Sequence, residues 1–99
     1  MVKQVIWQKR PLQQQHDLLV YLEAEFSFQT AQKFSALMDQ MLELLKKQPL
    51  IGRPVKNRPN IRYVKVGRYQ RMYYRLHSNT MYIVRLFDMR QDPKKDPFR

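Results

Sequence analysis

Ninety-nine residues make one domain, 1–99, with a modest core and no room for a second. With 43% apolar and 12% aromatic residues the chain has enough to fold by itself, while the absence of cysteine excludes disulfides and thiolate metal sites. No apolar run approaches the ~18–20 residues that cross a bilayer, and the segment Met1 to Trp7 is too short and polar for a signal peptide, so a cytoplasmic protein without a membrane partner is expected.

Charge is distributed unevenly. Nineteen Lys and Arg against eight Asp and Glu give a formal net charge of +11. Residues 1–52 carry six basic and five acidic side chains, whereas residues 53–99 carry thirteen and three. No acid lies between Arg53 and Phe87. A surface kept soluble by charge usually mixes both signs, so a field this one-sided points to a polyanionic partner, either nucleic acid or a ribonucleoprotein.

In chain order, Val2 to Gln8 is β-branched and aromatic and reads as a short strand. Pro11 suits the first turn of a helix, and Leu12, Leu19, Leu22 and Phe26 continue it at helical spacing to about Glu25. Ser27 can cap a second helix, whose stripe is Ala31, Phe34, Met38, Met41 and Leu45. The two should pack as an antiparallel hairpin. Pro49, Gly52, Pro54 and Pro59 then mark a loop. Beyond it the period changes to two. Ile61–Val66, Gln70–His77 and Thr80–Phe87 are strands, with Gly67-Arg68 and Ser78-Asn79 as turns of an antiparallel meander. In the middle strand Met72, Tyr74 and Leu76 share one face, and Arg71, Tyr73, Arg75 and His77 the other. From residue 88 to 99 the chain reads as a polar tail. The expected fold is α+β: an N-terminal strand and a helical hairpin packed on a small, mainly antiparallel twisted sheet. Its core should hold Phe34, Met38, Met41, Leu45, Met72, Tyr74 and Leu76, with the opposite face left partly open.

Most site patterns are absent. The chain has only two glycines, so no phosphate-binding loop, and His16 and His77 fall on different elements, so neither a metal site nor a cofactor is expected. What remains is a basic and aromatic set on strands. Arginine forks grip phosphate oxygens and aromatic rings stack on unpaired bases, which makes Arg62, Tyr73, Arg75 and Arg85, with Lys94 and Lys95 in the tail, candidates for nucleic-acid binding. Cross-strand packing of Tyr73 and an anti-aggregation role for edge arginines are the structural alternatives.

The order of elements, the Pro-x-x-Gly at Pro49 to Gly52, the run Gly67-Arg68-Tyr69-Gln70-Arg71-Met72-Tyr73-Tyr74-Arg75, and Ile83 to Asp92 together resemble the RelE/ParE superfamily of toxins from type II toxin–antitoxin systems. The resemblance implies a growth-inhibiting toxin and a cognate antitoxin as partner. It also implies one of two targets. RelE-like members cleave mRNA on the ribosome; ParE-like members poison DNA gyrase. Arg71 falls where the RNA-cleaving branch has an active-site arginine, and Arg90 on an arginine found in both branches. Lys65 and His77 are the candidates for base and acid. Such cleavage needs no metal: the 2′-hydroxyl attacks the adjacent phosphate, and guanidinium groups stabilise the developing charge. Two departures stand out, Lys94-Lys95-Asp96 where that branch has a tyrosine, and Val64 in place of a second strand lysine. The residues lean toward ribosome-dependent mRNA cleavage, with gyrase inhibition or plain nucleic-acid binding as the alternatives. Arg71 and Arg90 are expected to converge on one phosphate.

Overall fold

The computed structural model describes residues 2–98; Met1 of the first segment and Arg99 of the tail lie outside them. The elements run β1 (Gln4–Trp7), α1 (Lys9–Glu25), α2 (Phe28–Lys47), β2 (Arg53–Val55), β3 (Arg58–Val66), β4 (Gln70–His77), β5 (Thr80–Asp88) and a short 3₁₀ turn at Pro93–Lys95. The five strands form one sheet in the order β1-β5-β4-β3-β2. β1 joins β5 in parallel, and every other pair is antiparallel. The expected α+β architecture is therefore the observed one.

Local chemistry explains the boundaries. Pro11 occupies the third position of α1 and is buried, so its missing N–H falls where helical N–H groups have no partner. The Ser27 hydroxyl accepts the Thr30 N–H at 3.0 Å and starts α2. Lys46 and Lys47 lie in the last turn of α2, where cations complement the helix dipole. Two details depart from the sequence reading. Residues 53–55, expected as loop, form β2, an edge strand that can hold Pro54 because one side of it needs no ladder donor. The turn between β3 and β4 takes three residues, Gly67 to Tyr69, with Gly67 at φ +66°.

The main core lies between the hairpin and one face of the sheet. Met38 and Leu45 of α2 meet Val66, Met72, Tyr74, Met81, Ile83 and Leu86, with Phe34, Met41 and Leu76 packed at its margin. Of the seven residues expected in the core, Met38, Leu45, Met72 and Tyr74 are buried in it, and Phe34, Met41 and Leu76 are partly buried against it. A second apolar cluster, not expected, forms on the other face from Val55, Ile61, Tyr73 and Phe87, with Tyr63, Val84 and Phe98 against it. Phe98 belongs to the tail, so the residues read as a polar extension fold back onto the sheet.

Two devices tune this arrangement. β5 carries one extra residue relative to β4: Tyr73 pairs with Arg85, but Tyr74 pairs with Ile83. Strict alternation would point Arg85 to the same side as Met81 and Ile83, into the helix-side core. The bulge at Val84 reverses the parity, sending Leu86 into that core and Arg85 out with Tyr73. The second device explains the Pro-x-x-Gly. The buried Tyr74 hydroxyl donates to the Pro49 carbonyl at 2.6 Å and accepts the Gly52 N–H at 3.1 Å. A Cβ at residue 52 would collide with that hydroxyl, so only glycine lets the loop approach.

The loop anchor yields a stability test. Tyr74→Phe should lower unfolding free energy by about 1–3 kcal/mol, because two backbone groups lose their partner. Gly52→Ala should cost a similar amount, about 1–3 kcal/mol, through overpacking. In a double-mutant cycle by urea denaturation the two losses should fall short of additivity, since both changes disrupt one contact.

Candidate nucleic-acid and partner interface

The second face of the sheet gathers several of the residues singled out for chemistry. Cross-strand register sets Lys65 of β3 opposite Arg71 of β4, Tyr63 opposite Tyr73, and Ile61 opposite Arg75. The Arg71 guanidinium lies 4.3 Å over the Tyr63 ring, and its Nη1 donates to the Tyr73 hydroxyl at 3.3 Å. The tail then closes over this group. Tyr73 donates to the Asp96 carboxylate at 2.5 Å, Arg71 reaches the same carboxylate at 3.5 Å, and the Phe98 N–H donates to its other oxygen at 3.0 Å. The Phe98 ring sits 4.7 Å from that of Tyr73. Asp92 caps the turn that brings the tail back, accepting the Lys94 N–H at 3.0 Å.

This closure decides what the face can bind. Tyr73 is 1% exposed and belongs to the second core, so its ring is not free to stack on a base, and cross-strand packing is its observed role. Arg71 keeps 30% of its side chain exposed, but beside a carboxylate. Burial disfavours the Arg71 charge, yet the bond to Tyr73 and the fields of Tyr73, Tyr63 and Asp96 outweigh it and raise the arginine above its usual pKa. Desolvation pushes the Tyr73 phenol up to about 12, with Arg71 pulling down and Asp96 pushing up.

The other candidates scatter. Arg90 does not meet Arg71. It forms a two-point ion pair with Asp88 (2.7 and 3.0 Å) and stacks 4.3 Å over Tyr69, lining a groove shared with Tyr21, Leu22, Phe26 and Phe34 on the helical side. Arg71 instead lines the cleft that holds Asp96 and Phe98. The two arginines expected to converge on one phosphate line different clefts, Arg71 beside the tail and Arg90 beside the hairpin. His77 is exposed at the far end of β4, six residues and about 20 Å along the strand from Arg71. Arg62 points to the other face and donates to the carbonyls of Leu50 and Gly52 at 3.2 and 2.7 Å, holding the loop before β2. Arg75 stacks 4.9 Å over Tyr82. Arg85 has no such partner among the described residues, and Lys94 and Lys95 are exposed in the 3₁₀ turn. Among the described residues no three His, Asp or Glu side chains gather as a metal site, and no helix is long and apolar enough to cross a membrane.

Asp96 and Phe98 are the members that sequence reasoning missed. One signal was available: the second half of the chain has only three acids, and each is engaged, Asp88 by Arg90, Asp92 by the turn, Asp96 by Tyr73 and Arg71.

Fold and surface together define a class: small, basic α+β proteins with a helical hairpin on one face of the sheet and cations along its rims. The family model for the ParE toxin of the type II toxin–antitoxin system parDE matches residues 5–93. The chain belongs to that family and is a ParE-type toxin, a protein whose system supplies an antitoxin as its partner. Among solved structures, a chain from the chromosomal ParDE toxin–antitoxin system of P. aeruginosa is similar, with a TM-score of 0.64, 13% identity, and coverage of 89% of this chain and 96% of that one. At that identity the likeness concerns the fold. No curated protein sequence matches the chain.

Tyr73 provides a test of the tail closure. Its phenol is held protonated in the fold to about 12, above the ordinary value near 10. The folded state then binds the extra proton between those values, so stability should be intact below about pH 10 and fall as pH rises toward 12. Tyr73→Phe should reduce that alkaline loss in denaturation curves, leaving the part due to Tyr74, whose phenol burial also pushes up. Asp96→Asn, which weakens the acceptor, should raise amide exchange at Phe98 while leaving exchange in β4 unchanged.

Proposed function

We propose that this toxin stops growth by binding DNA gyrase and stabilising it on broken DNA, not by cutting mRNA in the ribosome. One observation carries the reading: the four candidate catalytic residues do not make one site. Arg71 lies against Asp96, Arg90 is paired with Asp88 on the helical side, and His77 stands at the opposite end of the strand from Arg71. General acid–base cleavage needs its groups within hydrogen-bond reach of one phosphate and one 2′-hydroxyl. Inhibition by binding has no such requirement. It needs an extended complementary surface, and a cationic sheet with an apolar groove at its edge provides that. Membership in the ParE family supports the same side.

The antitoxin of this reading is a small, partly disordered protein whose acidic segment folds onto the toxin, neutralising basic surface and covering apolar residues such as Phe26, which is 65% exposed. Cytoplasmic location follows from either target.

The alternative keeps one supporting observation: Lys65 and Arg71 are cross-strand neighbours, as an RNA-cleaving pair would be. Mapping DNA ends and mRNA 5′ ends after brief induction separates the two. Gyrase-linked double-strand breaks without codon-phased mRNA cuts are expected; phased cuts without breaks would reverse the assignment. Arg71→Lys sharpens the comparison. It keeps the charge and removes the planar fork, so a binding toxin should remain toxic after a stability loss of about 1 kcal/mol. An RNA-cleaving one should lose most of its activity.

A further inference from the structure

Four strand arginines are partly buried in the sheet: Arg62, Arg71, Arg75 and Arg85. Three have partners, respectively backbone carbonyls, Asp96 with Tyr73, and the Tyr82 ring. The Nε atoms of Arg71, Arg75 and Arg85 are all buried without an acceptor, but Arg85 alone of the four makes no hydrogen bond, ion pair or ring contact through the rest of its guanidinium among the described residues. It lies on a cleft of about 550 Å³ between α1, the edge of β5 and the tail. The cleft exists because β1 ends at Trp7, paired with Ile83, leaving the edge of β5 beyond that point without a strand. α1 covers the gap only in part, through the Gln14 side chain accepting the Leu86 N–H at 2.9 Å.

The side chains that α1 and the tail bring to this cleft increase the positive charge there. Arg10 and Lys95 line it with Arg85. Burial lowers the Arg85 pKa, and the nearby Arg10 charge lowers it further, so the two guanidinium groups repel. Arg10 also lies in the first turn of α1, which contains no acid and whose Gln8 N-cap makes no side-chain bond. A helix start normally favours the opposite charge. Two carboxylates line the cleft as well: Asp88 is held by Arg90, while Asp17 accepts only the neutral Gln13 amide, at 2.8 Å, so the three cations of the cleft face one acid without a cationic partner among the described residues. An unpaired, partly desolvated guanidinium beside a second cation is unfavourable in the free protein and becomes favourable once an oxyanion sits between them.

We propose that this cleft is a phosphate-binding site for a nucleic-acid backbone, with Arg85 and Arg10 gripping the phosphate oxygens and Lys95 adding charge at the rim. The proposal does not rest on the gyrase reading, because it is tested on the purified protein rather than on the lesion in cells. Phosphate is favoured over carboxylate because a tetrahedral group can engage both forks at once, with the three glutamine amides of the cleft, Gln14, Gln70 and Gln91, beside it.

The test follows the Arg85 Nε–H signal by NMR during titration with inorganic phosphate, a mononucleotide, a short oligothymidylate and a polyglutamate peptide. Saturable movement of that signal with phosphate is expected, and binding of the oligonucleotide should exceed that of the mononucleotide if the source is a polymer backbone. Arg85→Gln and Arg10→Gln should each weaken oligonucleotide binding about tenfold, against about twofold or less for Arg53→Gln on the far edge strand. Unchanged spectra of β4 in the variants establish that they fold. Even shifts over all basic residues, equal losses in the three variants, or polyglutamate binding as tightly as the oligonucleotide would overturn the proposal, the last in favour of an acidic protein segment at this cleft.

Discussion

Two adjacent tyrosines on the middle strand, both buried, constrain the rest of the molecule. β4 alternates, so Tyr73 and Tyr74 enter opposite cores, and each carries a hydroxyl that is costly to bury without a partner. Tyr74 finds its partners in the loop after α2, which draws Pro49 and Gly52 against the sheet and determines how the hairpin connects to β2. Tyr73 finds its partner in Asp96, which draws the tail over the second face. The two ends of the sheet-forming half are thus tied to neighbouring residues of one strand.

The same constraint governs the electrostatics. In a half-chain with thirteen cations, the Asp96 carboxylate is directed inward to Tyr73 and Arg71, and Asp88 to Arg90. Those pairs engage the arginines that the family resemblance singles out, and among the described residues they leave unpaired cations elsewhere: Arg85 and Arg10 at the β5 edge, and the lysines of the 3₁₀ turn. Which arginine meets a partner is decided less by its position in a motif than by which carboxylate the chain returns to it. The bulge at Val84 makes the same point, since one added residue moves Arg85 from the core side to the solvent side.

Much of the fold was legible because it follows from short-range rules. The stripe Ala31, Phe34, Met38, Met41 and Leu45 has helical period, and Ser27 is a strong capping residue, so α2 was readable almost to its ends. Alternation through Gln70 to His77 assigned each face of β4 correctly, including the split between Tyr73 and Tyr74. β2 was not readable. Its three residues include a proline, and it exists only because β3 offers an edge to pair with. The tail was not readable either, because Asp96 and Phe98 gain their role from Tyr73, some twenty-five residues earlier in the chain.

By itself, then, the sequence determined the elements, the faces, the charge asymmetry and the resemblance to the toxin superfamily, all of which depend on neighbours within a turn or a hairpin. Tertiary structure decided which of the basic residues share a site. Arg71 and Arg90 line different clefts, Lys65 and Arg71 are joined by strand register, and Arg85 and Arg10, seventy-five residues apart, share a cleft. Periodicity reports which way a side chain points from its own element. Only the packing of distant elements reports what it points at.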